Sequence, residues 1–327
     1  MKNEVPKFEV VTVTLNPAID RTIKISNFTA GAVNRVEQER SNPGGKGVNV
    51  ASALADYGHR IAVTGFLGRE NSAPFAALFA QKKIEDCFVR IAGRTRVGIK
   101  ITDPALRQTT DINFPGPAPA PDDLDALRER LATLDGTWFV VTGSLPPGVD
   151  AALYREVVLA IRARGRKVVL DTSGEALRHA IEAAPNIIKP NILELEVLVG
   201  KPLRTQTDVI EAAKNLIARG IELVAVSMGK DGACFVTKTA LVFARPPDVK
   251  VKSTVGAGDA MVAGIIAARL RELSLAECAR LATAFSIDAL TRIESGITSP
   301  AAIDLSTNQV AIEQAAGDYE LPISGSA

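Results

Sequence analysis

Asp259 closes the run Ser253-Thr254-Val255-Gly256-Ala257-Gly258-Asp259 and leads into Ala260–Leu270, an almost wholly apolar stretch. Small residues ahead of a long apolar run predict a tight turn that opens a buried helix. The first backbone N–H groups of a helix have no intrahelical partner, and the helix dipole is positive there. Glycine at 256 and 258 lets a ligand approach that backbone closely. Such a turn is an anion hole suited to a phosphoryl group in transfer. A carboxylate beside it can take the proton of an attacking hydroxyl, the work an aspartate does in many kinases. It can equally cap the helix, because aspartate is a favoured N-cap. Residue type alone leaves both readings open.

A second glycine cluster, Pro43-Gly44-Gly45-Lys46-Gly47-Val48-Asn49, also enters a helix-like stretch. Its backbone can approach a ligand, and Lys46 and Asn49 can hydrogen-bond hydroxyls; a plain loop-to-helix transition reads the same way. Asp20 follows a strand-like run, where α/β proteins bind ligands, although Asn16-Pro17 also makes it a turn residue. Arg94, Arg96 and Lys100 lie close together, and Arg96, Gly98 and Lys100 share one strand face by period two. Guanidinium groups grip phosphate bidentately, so this is a phosphate clamp or a solvated basic edge. Lys189 and Asn191 follow another strand, with Glu194 three residues on. Asn191 and Glu194 can hold magnesium-bound water, or form a capping box. Ser227, Gly229 and Gly232 end a further strand as a turn whose backbone can also meet a nucleotide.

Two familiar phosphate-binding patterns fail on spacing. After Gly256 and Gly258 the next glycine is Gly264, too late for Gly-x-Gly-x-x-Gly. Gly44-Gly-Lys-Gly47 continues with Val48, so it is not the Gly-x-x-x-x-Gly-Lys-Ser/Thr loop. The two histidines, His59 and His179, carry no metalloprotease spacing.

These residues need a frame to bring them together. Short β-branched runs at Val10–Leu15, Ile61–Phe66, Trp138–Thr142, Lys167–Asp171, Asn186–Lys189 and Leu223–Val226 alternate with helical stretches. The helical stretches include Val48–Tyr57, Pro74–Lys82, Asp122–Leu134, Ala151–Arg164 and Thr207–Arg219. That rhythm predicts an α/β fold with a mostly parallel sheet covered on both faces. Thr22–Gln38 and Thr95–Phe114 break it with β-like alternation. We expect them to leave the main sheet and form a small second sheet, a lid over the strand ends or two edge hairpins. No linker divides the chain, so residues 1–327 are expected to form one domain with this lid.

The 327 residues carry a net charge of +1, which marks no nucleic-acid or membrane surface. Three scattered cysteines favour a reducing compartment over a disulfide framework or zinc site. Met1–Val10 lacks the apolar core of a secretion signal, and no apolar run nears the ~20 residues of a membrane span. A cytoplasmic protein is expected, with a frayed tail after Asp318.

In this order the motifs resemble the ribokinase-like (PfkB) family of sugar kinases, over about Val10 to Ile297. Gly44-Gly-Lys-Gly-x-Asn49 is similar to its N-terminal signature, Ser253–Asp259 to its C-terminal signature, and Asn191-x-x-Glu194 to its magnesium and phosphate motif. Thr14–Asp20, Gly93–Arg96, Gly143–Gly148 and Ile188–Asn191 resemble the branch that phosphorylates sugar phosphates. The resemblance implies a ribokinase-like fold, ATP and Mg2+, and phosphorylation of fructose 1-phosphate at its 6-hydroxyl. Tagatose 6-phosphate and fructose 6-phosphate are the alternative substrates, and a non-catalytic sugar-phosphate sensor is the alternative of another class. It further implies Asp259 as base and Gly256, Ala257 and Gly258 as anion hole. Asp20, Gly44, Gly45, Lys46 and Asn49 would grip the sugar, with Arg96 and Lys100 on its phosphate. Lys189, Asn191, Glu194, Ser227, Gly229, Gly232, Ser253, Thr254 and Val255 would meet ATP, Glu194 holding magnesium through water. An exposed lid edge suggests a homodimer.

Overall fold

The computed structural model describes residues 6–106, 108–292 and 296–315; the tail expected to fray after Asp318 lies outside them. In chain order the strands begin β1 (Phe8–Thr14), β2 (Ala18–Lys24), β3 (Gln38–Gly44), β4 (Ile61–Gly68), β5 (Glu85–Asp86), β6 (Val89–Ile91), β7 (Arg96–Asp103) and β8 (Gln108–Asn113). They continue with β9 (Gly136–Thr142), β10 (Lys167–Asp171), β11 (Ile187–Ile188), β12 (Leu223–Ser227), β13 (Ala233–Val236), β14 (Leu241–Arg245) and β15 (Ala311–Ala315). The helices are α1 (Lys46–Asp56), α2 (Ala73–Lys82), α3 (Pro121–Thr133), α4 (Leu153–Ala163), α5 (Gly174–Ala180), α6 (Ile192–Val199), α7 (Gln206–Ala218), α8 (Ala257–Leu270), α9 (Leu275–Leu290) and α10 (Pro300–Thr307).

The main sheet runs β15-β14-β13-β12-β11-β10-β9-β1-β4-β5, with β6 also on β4. Every pairing from β12 through to β5 is parallel, as the alternating rhythm predicts. Strands β13, β14 and β15 add an antiparallel edge, which short apolar runs without helical spacers do not distinguish from loops. Alternate strand residues feed two cores, as the period of two demands. Val10 and Val140 pack beneath α1, α2, α8 and α9, whereas Val11, Val13 and Val141 pack beneath α3, α4, α5 and α7. Helix α8 is buried from Asp259 to Ala268. Gly264 has no room for a Cβ against the Ala282 backbone of α9, so this glycine serves close helix packing.

The small sheet has the order β3-β2-β7-β8. Its second half lies where expected. Its first half does not: strands occupy Ala18–Lys24 and Gln38–Gly44, and most of the expected Thr22–Gln38 segment is the loop between them. Of the alternating residues there Ile25 is buried, but Val33 is 92% and Val36 52% exposed, so they share no covered face. The loop is fixed instead by polar contacts. The Asp103 carboxylate accepts from the Asn27 and Phe28 N–H groups at 3.1 and 2.7 Å, and Asn27 takes a left-handed φ of 58°. Strand β3 has a wholly polar N-terminal half and forms because β2 offers it a ladder, a cause no local pattern reports.

Candidate active site

The cleft lies where the carboxyl ends of the parallel strands meet the N-termini of α1, α6 and α8, with the small sheet alongside. Gly256 takes a left-handed φ of 77° and is itself the N-cap of α8. Asp259 is therefore at the third helical position and is not the cap. The first intrahelical bond runs from Ala260 N–H to the Gly256 carbonyl, which leaves the N–H groups of Ala257, Gly258 and Asp259 ahead of the ladder. Gly45 precedes α1 at φ 102°, and a Cβ there would strike the Pro17 backbone.

Asn49, one turn into α1, donates from Nδ2 to Asp259 Oδ2 at 2.8 Å. Asp259 is 6% exposed. Burial drives its pKa up to about 6, against the pull of Lys46, Asn49 and Lys189 and with help from the negative charge of Asp171. A carboxylate poised near neutrality is a fit proton acceptor. Asp171, at the end of β10, is 1% exposed and gathers two ammonium groups: Lys46 Nζ at 3.2 Å and Lys189 Nζ at 3.4 Å. Burial alone would raise the Asp171 pKa, but Lys189 and Lys46 outweigh it and hold the group below its usual value. Lys46 loses by burial and gains more from Asp171, Asp259 and Glu194, so its proton is held more tightly than usual. Lys189 Nζ is also 3.3 Å from the position a Cβ on Gly258 would take. Two cations thus flank the unpaired N–H groups of α8, an arrangement that stabilises charge on a phosphoryl group.

An inner cleft is lined by Asp20, Gly45, Lys46, Asn49 and Arg96 on one side. Asp171, Lys189, Asn191, Glu194, Ser227, Val255, Gly256, Gly258 and Asp259 line it too. Arg96 donates from Nε to the Asn16 carbonyl at 3.2 Å; burial lowers its pKa and Asp20 partly restores it. Burial raises the pKa of Asp20 in turn, opposed by Arg96 and Lys100. Asn191 and Glu194 do form a capping box. Asn191 N–H donates to Glu194 Oε2 at 2.9 Å, and Glu194 N–H to Asn191 Oδ1 at 2.8 Å. That bond uses one Glu194 oxygen, and the residue still lines the cleft.

Other expected residues fall elsewhere. Lys100 lines the outer cleft and pairs with Asp111 at 3.4 Å, so its charge is already met on the small sheet. Ser253 and Thr254 line that outer cleft too, not the inner one with Asn191 and Glu194. Gly44 ends β3, where a Cβ would strike the Asp20 carboxylate. Ala257 stays at the α8 N-terminus, where its carbonyl accepts from Ser286 Oγ at 2.9 Å. Gly229 and Gly232 line neither cleft; Gly232 is required because a Cβ would strike the Ala244 carbonyl. Sequence reasoning gave no role to Asp171, whose signal was a carboxylate at the end of a strand, or to Asn42, Asp111 and Asn113, which only register brings to the cleft.

Among the described residues no group of three or more His, Cys, Asp or Glu side chains can enclose a metal ion. Glu194 lines the cleft with one oxygen not used by the capping box, which fits magnesium, an ion that keeps several waters and takes its other ligands from phosphate oxygens.

The chain belongs to the pfkB family of carbohydrate kinases, whose model matches residues 13–302. It is 50% identical over 294 residues to the 1-phosphofructokinase of Rhodobacter capsulatus, covering 89% of this chain and 93% of that one. The 1-phosphofructokinase of Escherichia coli is 39% identical over 295 residues, covering 88% and 93%. Among solved structures, phosphofructokinase-2 from Escherichia coli in complex with substrates and products superposes with a TM-score of 0.87 at 29% identity, covering 92% of this chain and 98% of that one. A possible 1-phosphofructokinase from Thermotoga maritima gives 0.84 at 30% identity, covering 94% and 99%.

Proposed function

We propose that this kinase transfers the γ-phosphoryl group of ATP to the 6-hydroxyl of fructose 1-phosphate, giving fructose 1,6-bisphosphate and ADP. The observation that carries the reading is Asp259, a buried carboxylate with a pKa near 6 oriented by Asn49 beside the free N–H groups of α8. Asp259 takes the proton of the 6-hydroxyl as its oxygen bonds to the γ-phosphorus and the bond to the ADP oxygen breaks. The N–H groups of Ala257 and Gly258, with Lys46 and Lys189, stabilise the charge on the transferring group. Asp20, Gly45 and Asn49 hold the sugar, and Arg96 holds its phosphate. Asn191, Ser227 and Val255 border the nucleotide. Glu194 would hold magnesium through water, which would supply positive charge against the phosphates.

The small sheet serves as the lid that excludes water, which otherwise competes as acceptor. It also supports a homodimer. Leu106, Ile112 and Phe114 on or beside β8 are 52%, 45% and 49% exposed, an apolar surface that a second copy would cover. Three free cysteines suit the reducing cytoplasm, and among the described residues no helix is long and apolar enough to cross a membrane.

A coupled assay for ADP release, run with ATP against fructose 1-phosphate, fructose 6-phosphate, tagatose 6-phosphate and free fructose, tests the reading. The highest kcat/KM is expected with fructose 1-phosphate. Preference for a 6-phosphate reassigns the substrate, preference for the free sugar removes Arg96 as a phosphate clamp, and binding without turnover makes the chain a sensor.

A further inference from the structure

Register sets Asn42, Asp20, Gly98 and Asn113 in one row across the four strands of the small sheet. Asp20 is opposite Asn42 on one side and Gly98 on the other, and Gly98 is opposite Asn113. Opposed residues share a face, and all four line the outer cleft. The row has a gap at Gly98. A Cβ there would stand 3.1 Å from Asp20 Oδ1 and 3.4 Å from Asn113 Oδ1. An oxygen seated just above that point is within hydrogen-bond reach of both side chains. Gly98 is not among the glycines at positive φ, so the backbone does not demand glycine here; what glycine provides is the space. The Asn113 side-chain amide bonds no other described residue, whereas those of Asn16, Asn49 and Asn191 are all engaged.

We propose that the gap above Gly98 seats one hydroxyl of the sugar, and that Asn113 is a specificity-determining residue. The proposal rests on the sugar-phosphate reading of the site. A hydroxyl has one proton to donate and lone pairs to accept with. The Asp20 carboxylate accepts, and the Asn113 amide, turned so that its NH2 group faces the seat, donates. A hydroxyl of inverted configuration at the same carbon points away from the seat and leaves both groups unmet. The row therefore reads stereochemistry at one carbon of a ketose phosphate.

The test compares Asn113→Ala and Gly98→Ala with wild type, by calorimetric binding of ketohexose 1-phosphates and by steady-state kinetics. Asn113→Ala is expected to raise Kd and KM for the sugar phosphate about tenfold, the loss of about 1.4 kcal/mol, with kcat and the KM for ATP unchanged. Discrimination should narrow against the one epimer inverted at the seated hydroxyl. Gly98→Ala fills the seat and weakens binding further at an unchanged Tm. Unchanged Kd in both variants overturns the proposal. So does a loss spread evenly over all epimers with a fallen Tm, which marks a structural role. A wild type that binds the sugar phosphate without phosphorylating it removes the kinase reading and leaves the seat standing; one that binds no ketose phosphate removes both.

Discussion

Replacing Asp259 with asparagine should remove activity and stabilise the fold, and the two effects have a common cause. Burial raises the Asp259 pKa from an ordinary 3.8 to about 6. Between those values the folded protein holds a proton that the unfolded chain has lost, so stability falls as pH rises through this window and the penalty is complete above about 6. That displacement corresponds to about 3 kcal/mol. Asparagine carries no charge to desolvate and can keep the contact with Asn49 by turning its amide. With an unfolding entropy of about 2.1 cal/mol/K per residue, the gain appears as a Tm about 4 °C above wild type at pH 8. Differential scanning calorimetry from pH 4 to 8 should show the two curves converging at the acid end, where wild-type Asp259 is also neutral. Turnover should fall by about 10²–10⁴-fold, the usual contribution of a positioned base, with sugar-phosphate and ATP binding retained. A Tm gap that does not vary with pH, or a variant less stable than wild type at pH 8, would refute the desolvation argument. Near-normal turnover would take Asp259 out of the base role.

Further predictions follow from the charges around that carboxylate. Wild-type kcat/KM should rise with pH through about 6 as Asp259 loses its proton, and Lys46→Met should move this limb to higher pH, because Lys46 is the strongest influence lowering the Asp259 pKa; a pH–kcat/KM profile reads it. Arg96→Ala should raise the KM for the sugar phosphate by at least about tenfold, as loss of a charge-assisted contact does, and leave the KM for ATP in place. Arg96→Lys should recover little of this, since an ammonium cannot reproduce the bidentate fork. Glu194→Gln keeps the cap bond to Asn191 N–H, so Tm should hold while the magnesium concentration for half-maximal rate rises; an unchanged magnesium titration would detach Glu194 from the metal.

What the sequence determines by itself is local. A glycine-rich turn ahead of an apolar run sets a helix start within a handful of residues, so the anion hole of α8 and the entry to α1 are legible at Gly256 and Gly45. Alternation of apolar runs and amphipathic stretches likewise sets the parallel sheet. The same local evidence could not separate cap from base at Asp259, nor find β3, whose polar residues pair only because β2 is beside them. Only the tertiary structure decides the chemistry. It brings Asn49 from α1 onto Asp259, 210 residues away, and buries the carboxylate deeply enough to hold its pKa near 6. It ties Lys46 of α1 and Lys189 of the loop after β11 to Asp171 of β10, and it aligns Asn113 with Asp20 across the empty place at Gly98. Proton affinity and shape depend on distance and desolvation, and these belong to the folded chain, not to spacing along it.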